Sequence, residues 1–598
     1  MRHICIKHNL DGLIYRLTKL YIGKAGLTMA TNIQTKVRKL PPCRAACPAH
    51  VNVQGYVALI QMGKFKEAVE IIRRDMPFPA ICGRVCFSPC EDACARTNVD
   101  QAVAIRALKR LVADIERETG RVKPEPIPKK YSQKIAIIGA GPAGLTAAYE
   151  LAKLGYPVTV FERMSEAGGM MRYCIPEFRL EKFVVANEIA YIKDLGVEIK
   201  TGVEFGKDIT IQSLQNEGYK AIFIAIGTQL GMRLNVLGED LEGVINAVDF
   251  LRAVNLGKHV EVGEKVAVVG GGNTAIDAAR TAKKLGAKEV VVLYRRSREE
   301  MPALPHEVEL AEKDGIKFNF LVAPKQILGE NGKVKAIECL RMRLGEPDES
   351  GRRRPIPISF SEHQYEVDTV IPALGQVAEI SCLPKDLLSK EAKAPSLKVD
   401  PATLETNMLG VFAGGDIATG PASIIEAVGA GKRAAVSIHR YLQGMDLRSG
   451  REEVEETTWV KNWGYINKKE RRYEPPVEKP RVSFEEAREY LERVKQQAMF
   501  EAFRCLECGP CAECLANLEL CEGDKAVVDE SLCIGCNVCA VVCPFGAIKK
   551  NEKEIAQVNE DLCKGCGICA ARCPEQAITM KKQPNERILS LALATIKR

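Results

Sequence analysis

One pattern near the end of the chain leaves few ways to fold. Cys-x-x-Cys-x-x-Cys-x-x-x-Cys-Pro occurs twice, as CIGCNVCAVVCP at 533–544 and CKGCGICAARCP at 563–574. Three cysteines two residues apart let their thiolates wrap one corner of a cubane iron–sulfur cluster. Structural zinc is the competing explanation, but a zinc ribbon uses two CxxC pairs per metal and has no role for a third knuckle followed by CysPro. The repeat therefore reads as two cluster sites.

The repeat resembles the bacterial two-cluster ferredoxins. In those proteins the fourth cysteine of each run crosses to the other cluster. The resemblance thus implies one cluster on Cys533, Cys536, Cys539 and Cys573 and another on Cys563, Cys566, Cys569 and Cys543. The remaining cysteines are just as unevenly placed. Of 23 in the chain, Cys43, Cys47, Cys82, Cys86, Cys90 and Cys94 form one group and Cys505, Cys508, Cys511, Cys514 and Cys521 another. Cys5, Cys174, Cys339 and Cys382 stand alone and read as small buried apolar side chains. So many cysteines without an export signal point to metal in a reducing, cytoplasmic setting and not to disulfides.

A chain of 598 residues has room for about three to five domains. Its apolar fraction of 46%, charged fraction of 27% and net charge of +8 are globular values that call for neither nucleic acid nor a membrane span. No stretch reaches the ~18 apolar residues of a spanning helix, because Arg16 and Lys19 interrupt the N-terminal Leu/Ile/Tyr segment. Residues 1–28 read as an extension without an assignable role, with Met29 as an alternative start.

The cysteine-poor middle carries two dinucleotide patterns. The strand-like run Lys134 to Ile138 leads into Gly139-Ala140-Gly141-Pro142-Ala143-Gly144, an Ala/Leu-rich helix, and a second strand ending at Glu162. Gly139 permits the tight turn, Gly141 admits a pyrophosphate, Gly144 lets helix sit on strand, and the helix N-terminus attracts the anion. Glu162 is placed to accept hydrogen bonds from a ribose. The second copy runs from Lys265 through Gly270, Gly271, Gly272, Asn273, Thr274 and Ala275 to a strand ending Tyr294-Arg295-Arg296. Where the first copy has an acid this one has guanidinium groups, which fork onto the 2′-phosphate of NADPH; NADH is the alternative.

From Gly139 to about Leu442 the chain resembles the small subunit of bacterial glutamate synthase, and the electron-input part of dihydropyrimidine dehydrogenase is similar. GGMMRYCIPEFRL at 168–180, AIFIAIGT at 221–228, YRRSREEMPA at 294–303 and GVFAGGDIATGPASIIEAVGAGKRAA at 410–435 carry the likeness. The resemblance implies that the first fold holds FAD and that a second, inserted into it, holds NADPH. It places Gly169 and Arg172 beside the flavin, Gly415 and Asp416 at the ribityl chain, and the helix after Pro421 toward the pyrophosphate.

PPCRAACPAHVNVQGYVALI and CGRVCFSPCEDAC extend the resemblance to the family's N-terminal iron–sulfur domain. In the family that domain opens with a further CxxC, which this chain lacks ahead of Cys43. Cys43, Cys47, Cys86, Cys90 and Cys94 are too few for two sites, so one cluster is expected there; no ligand role carries over to Cys82. The stretch Ala502 to Cys508 looks like the missing motif placed after the flavin domain. The expectation is a local cluster on four of Cys505, Cys508, Cys511, Cys514 and Cys521. The alternative folds Cys505 and Cys508 back to complete an N-terminal site, and zinc is a third option.

The expected molecule is a multidomain α/β protein: a helical N-terminal iron–sulfur domain, two nested Rossmann-like domains for FAD and NADPH, and a C-terminal 2[4Fe-4S] ferredoxin-like domain. The boundaries are 1–40 for an extension, 41–120 for the helical domain, 130–255 and 370–445 for FAD, and 256–369 for NAD(P)H. A charged linker at 446–500, a cysteine-rich segment at 501–525 and the ferredoxin-like domain and tail at 526–598 complete it. Such a chain moves electrons between NAD(P)H, FAD and [4Fe-4S] clusters and a partner: a ferredoxin, or a subunit of a hydrogenase, formate dehydrogenase or similar complex, with electron bifurcation a further option. A glutamate synthase small subunit and a non-catalytic electron-transfer or assembly subunit are the alternatives. No side chain is singled out as catalytic, since the cofactors carry hydride exchange; His306 reads as a surface residue.

Overall fold

Short β-branched runs alternating with Ala-rich helices build two parallel sheets, the second threaded into the sequence of the first. In the first, the strands lie in the order Val411–Ala413, Tyr219–Ile224, Lys134–Ile138, Val158–Glu162, Glu198–Thr201, all parallel. Four of the five residues of Lys134–Ile138 are buried, as a strand covered on both faces requires. The chain leaves this sheet after Ile224 and returns to its edge only at Val411, whose partner is Ile222. The excursion holds the second sheet, Thr369–Pro372, Lys265–Val269, Glu289–Tyr294, Lys317–Phe320, also all parallel. The computed structural model describes residues 37–121, 123–389, 395–449, 451, 453–458, 468, 484–506, 508, 525–543, 546–560, 563 and 568–580. The expectations for Cys5, Cys511, Cys514, Cys521 and Cys566 and for the extension at 1–36 lie outside these residues.

An antiparallel sheet inside 256–369 was not separated by the sequence reading. Val322–Glu330, Lys333–Pro347, Arg353–Pro357 and His363–Glu366 form it. Its inner side chains Val322, Ile327 and Ile337 share a core with Ala267, Val269 and Val370 of the second parallel sheet.

The helices Val53–Gln61, Phe65–Asp75, Pro79–Val85 and Ile105–Thr119 make up the N-terminal region. Tyr56, Ile72, Phe78 and Leu108 belong to one continuous core with Ile135, Leu145 and Val428 of the flavin-type unit. Glu188 reinforces that contact by accepting from the Ala80 and Ile81 N–H groups at 2.8 and 3.0 Å. The stretch expected as a charged linker contributes to this core as well. Within it Glu453–Glu456 pairs in parallel with Val37–Leu40, and the helix Phe484–Ala502 buries Val494, Ala498 and Ala502 in the same core.

In the C-terminal unit Ala526–Val528 pairs with Ile578–Met580 and Ile548–Lys550 with Ala556–Val558, each antiparallel. The short helices Val538–Val542 and Ile568–Arg572 lie within the two cysteine runs. Among the described residues no helix is long and apolar enough to cross a membrane.

Candidate cofactor sites

The turn after Lys134–Ile138 is shaped for a ligand. Gly139 has φ of +102°, and a side chain there would strike the Ala225 carbonyl oxygen at 2.5 Å. A Cβ on Gly144 would lie 2.0 Å from the Gly139 carbonyl oxygen, so helix and strand touch. Gly141, by contrast, faces open space. It caps the helix Pro142–Lys153 without any side-chain hydrogen bond, which leaves the first N–H groups directed into that opening for an anion. Gly169, φ +52°, packs against the same turn, since a Cβ there would meet Gly141 Cα at 2.8 Å.

Glu162 is 4% exposed and accepts from Ala140 N at 2.8 Å and Met164 N at 2.9 Å. Burial pushes its carboxyl above the ordinary value against these two bonds. Each carboxylate oxygen accepts more than one hydrogen bond, so the acid ties down the turn and still fits a ribose. Arg172 donates to the Ala167 carbonyl at 3.1 Å and pairs with Glu166 at 2.9 Å. Gly415, φ +73°, abuts Ala143, bringing the returning segment over the turn. Burial pushes the Asp416 carboxyl beside it up to about 6. The helix Ile424–Leu442 caps itself: Glu426 N donates to Ser423 Oγ and Ser423 N to Glu426 Oε2. The residues at this turn fit FAD: an uncapped helix end and open glycine for the pyrophosphate, with carboxylates at two ribose-like positions.

The second turn has the same build. Gly270 has φ of +152° and a Cβ there would meet the Ala373 carbonyl oxygen at 2.3 Å, whereas Gly272 faces open space ahead of the helix Asn273–Lys284. Asn273 Oδ1 accepts from Leu304 N at 3.0 Å, tying the helix start, which also carries Thr274, to the loop after the arginines. The arginines separate sharply. Arg295 is exposed, while Arg296 is 4% exposed, pairs with Asp348 at 2.5 Å and donates to the Arg353 carbonyl at 2.8 Å. Arg295 and Arg298 both face solvent, Arg298 with Glu312 as its ion-pair partner. The Tyr294 ring lies under Gly271, where a Cβ would come within 2.3 Å of it; the sequence reading assigned Tyr294 nothing. His306 is half-exposed, 3.6 Å from Glu307.

In the C-terminal unit a pocket is lined by Cys533, Cys536 and Cys539 from the first cysteine run and Cys573 from the second, with Gly535 and Ile578. This brings together the four residues that the crossed ligand pattern pairs. Cys543, Cys563 and Cys569 are buried in the same core.

The helical region gathers its cysteines around a buried lysine. Lys109, 3% exposed, is pulled down by burial, yet the thiols of Cys86, Cys90, Cys82 and Cys47 outweigh this and raise it. Cys43 looks elsewhere: burial raises its thiol, and those of Cys505, Cys508, Cys94 and Cys90 press in the same direction. The structure therefore seats Cys505 and Cys508 against the N-terminal region, the arrangement treated as the alternative from sequence. Its cause is a buried arginine at 504, whose hydrogen-bonding partners lie at Asp100, Gln101 and Ala102. Among the described residues no three His, Cys, Asp or Glu side chains close on a single-ion position.

Comparison with known proteins agrees with this layout. Residues 133–431 match the family described as pyridine nucleotide-disulphide oxidoreductase. Residues 36–121 match dihydropyrimidine dehydrogenase domain II, 4Fe-4S cluster, and 526–580 a 4Fe-4S dicluster domain. The NADP(+)-dependent formate dehydrogenase subunit beta of Moorella thermoacetica is 43% identical over 75% of this chain and 66% of its own length. The NADPH-Fe(3+) oxidoreductase subunit beta of Geobacter sulfurreducens is 39% identical over 81% of this chain and 77% of its own. The glutamate synthase [NADPH] small chain of Azospirillum brasilense is 36% identical over 67% of this chain and 86% of its own, which bears out the resemblance read from the motifs. The chain belongs to the pyridine nucleotide-disulphide oxidoreductase family, as an electron-transferring flavoprotein that uses FAD and a nicotinamide nucleotide between 4Fe-4S domains at its two ends.

Proposed function

We propose that the chain is the nucleotide-oxidising subunit of a larger cytoplasmic redox complex, passing electrons from NADPH through its iron–sulfur sites to a second subunit. The observation that carries this reading is the seating of Cys47 on the flavin-type unit. Gly429 lies so close to Pro48 that a Cβ would fall 2.5 Å from its carbonyl oxygen, and Lys432 donates to the Ala49 carbonyl at 2.7 Å. A cluster ligand is thus held against the helix that covers the FAD turn. Two relatives named as beta subunits, one of a formate dehydrogenase and one of an NADPH-Fe(3+) oxidoreductase, support a partner chain as the acceptor.

In this reading Gly139, Gly141, Gly144 and Gly169 shape the pyrophosphate bed, Glu162 holds the adenosine ribose, and Gly415 and Asp416 hold the ribityl chain. Arg172 flanks the flavin. Gly270, Gly272, Asn273 and Thr274 receive the nucleotide pyrophosphate, and Arg295 meets the 2′-phosphate. Bound FAD supplies the exchange between a two-electron hydride and single electrons. The protein's share is to hold the rings in register and keep water away, which asks for no side-chain acid or base.

Anaerobic stopped-flow mixing with NADPH tests this. Flavin absorbance should bleach first and cluster absorbance after it, faster with NADPH than with NADH. Bleaching confined to the flavin would sink the reading.

A further inference from the structure

On the reading above that NADPH reduces FAD in this chain, we infer that Arg179 is the positioning residue for hydride exchange: its guanidinium, shared by two buried acids, holds the nucleotide unit in register over the flavin unit. The covalent link between the two units is slight. The chain passes from the first parallel sheet to the second after Ile224 and starts back after Pro372. Where the crossings meet, Leu230–Gly231 pairs antiparallel with Gln376–Val377, two residues on each strand. A two-stranded ribbon is marginally stable by itself, and connections of this kind are where domains turn on one another. Hydride exchange needs reacting atoms about 3–3.5 Å apart, so contacts outside the ribbon must set the register.

The loop 174–181 supplies them. It is fixed at both ends on the flavin side. Gly169, ahead of it, packs on Gly141 at the pyrophosphate turn, and the helix Lys182–Asp194 after it buries Val184, Val185, Ile189 and Ile192 in the central core. From this base Arg179, its side chain 9% exposed, donates to Asp277 Oδ2 at 2.6 Å and lies 2.9 Å from Glu307 Oε1. Asp277 stands one turn into the helix Asn273–Lys284, which opens at Gly272. Glu307 stands in the helix Pro305–Lys313, and Leu304, just ahead of that helix, donates its N–H to Asn273. Both acids are therefore tied to the nucleotide turn itself. Phe178 adds to the grip, with the Arg280 guanidinium 4.7 Å and the Lys284 ammonium 5.1 Å from its ring. Asn255 Nδ2 donates to the Tyr173 and Ile175 carbonyls at 3.1 and 3.2 Å. Arg280 is already divided between Glu307 and Asp314. Removing Arg179 thus leaves Asp277 and Glu307 confronting each other across the seam, where like charges repel strongly for lack of water.

The test uses full-length chain loaded with FAD and clusters, without oxygen. In Arg179→Ala the rate of flavin bleaching at saturating NADPH should fall by about a hundredfold, the scale of a misplacement of about 1 Å. The dissociation constant for NADP+, measured by titration, should stay near its wild-type value, because no contact with the nucleotide is removed. The long-wavelength charge-transfer absorbance of stacked rings, read with NADP+ added to dithionite-reduced chain, should be lost. An unchanged FAD content shows that the fold has survived. Where Arg179→Ala also costs FAD, Arg179→Lys takes its place: a point charge reaches one acid and not two, so bleaching should slow and the charge-transfer band weaken while FAD stays bound. A wild-type rate and band in the loaded variant overturn the inference, as does a defect carried by NADP+ affinity alone. A wild-type flavin that NADPH leaves oxidised sinks the proposed function itself, and this inference with it.

Discussion

Two adjacent guanidinium groups show how far residue type underdetermines role. Arg296 is consumed by Asp348 and the Arg353 carbonyl, and so ties the strand end to the antiparallel sheet. Arg295, exposed beside it, is the one we propose for the 2′-phosphate. A hydrogen bond to a charged group contributes about 1.5–3 kcal/mol. Arg295→Ala should therefore raise KM for NADPH by about tenfold or more and leave KM for NADH near its original value. Arg296→Ala should lower the melting temperature and affect both nucleotides alike. Steady-state kinetics with the two donors decides between these roles; equal losses with NADPH and NADH in Arg295→Ala would remove it from the 2′-phosphate site. Both arginines were legible as basic residues at the right strand end. Which one is spent on the fold was not, because Asp348 lies some fifty residues away, on a hairpin whose packing is a tertiary fact.

Among elements, the loop before the helix Lys182–Asp194 is clamped to two helices of the nucleotide unit, Asn273–Lys284 and Pro305–Lys313. Arg179 lies 2.6 Å from Asp277 and 2.9 Å from Glu307, and Arg280 is 3.3 Å from Glu307 and 2.7 Å from Asp314. Burial pushes the Glu307 carboxyl up, but His306, Arg179 and Arg280 outweigh it and hold it at about 2. For Asp277 burial wins and its carboxyl rises to about 6. A depressed acid adds stability that is fully present above its unfolded pKa of about 4.5 and is lost as pH falls toward 2. Asp277, with its pKa raised, acts in the opposite sense and costs stability as pH rises from about 4 toward 6. Glu307→Gln should cost about 3 kcal/mol at neutral pH, the scale of leaving a buried arginine without its partner. Between pH 4.5 and 2 its stability should also fall less steeply than that of the wild type. Denaturant melts across that range provide the check, and parallel curves would exclude Glu307 from the acid transition.

Across the whole molecule, one core spans the helical region and the flavin-type unit, and Gly429 on Pro48 is a close backbone contact between the two. Any side chain at 429 must push back the segment that carries Cys47. Gly429→Ala should leave flavin bleaching by NADPH near its wild-type rate and slow the later cluster bleaching by about tenfold or more, on the scale of a small misplacement of reacting groups. Stopped-flow traces at the two wavelengths measure this. An unchanged second phase would show that electrons leave the flavin by another route.

The sequence by itself determined the parts: the cysteine repeat, the two glycine turns, and the return segment around Gly414 to Asp416 are local patterns, since each is imposed by the geometry of a cluster or a pyrophosphate on neighbouring residues. Tertiary structure alone decided how the parts join. Cys505 packs against the helical region because the buried Arg504 finds Asp100 and the Gln101 and Ala102 carbonyls on a distant loop. The Phe484–Ala502 helix, charged enough to read as linker, lies in the central core because Val494, Ala498 and Ala502 fall on one face. Ligand spacing is written within a few residues of chain, whereas the pairing of buried charges and apolar faces depends on elements hundreds of residues apart, and no local pattern records it.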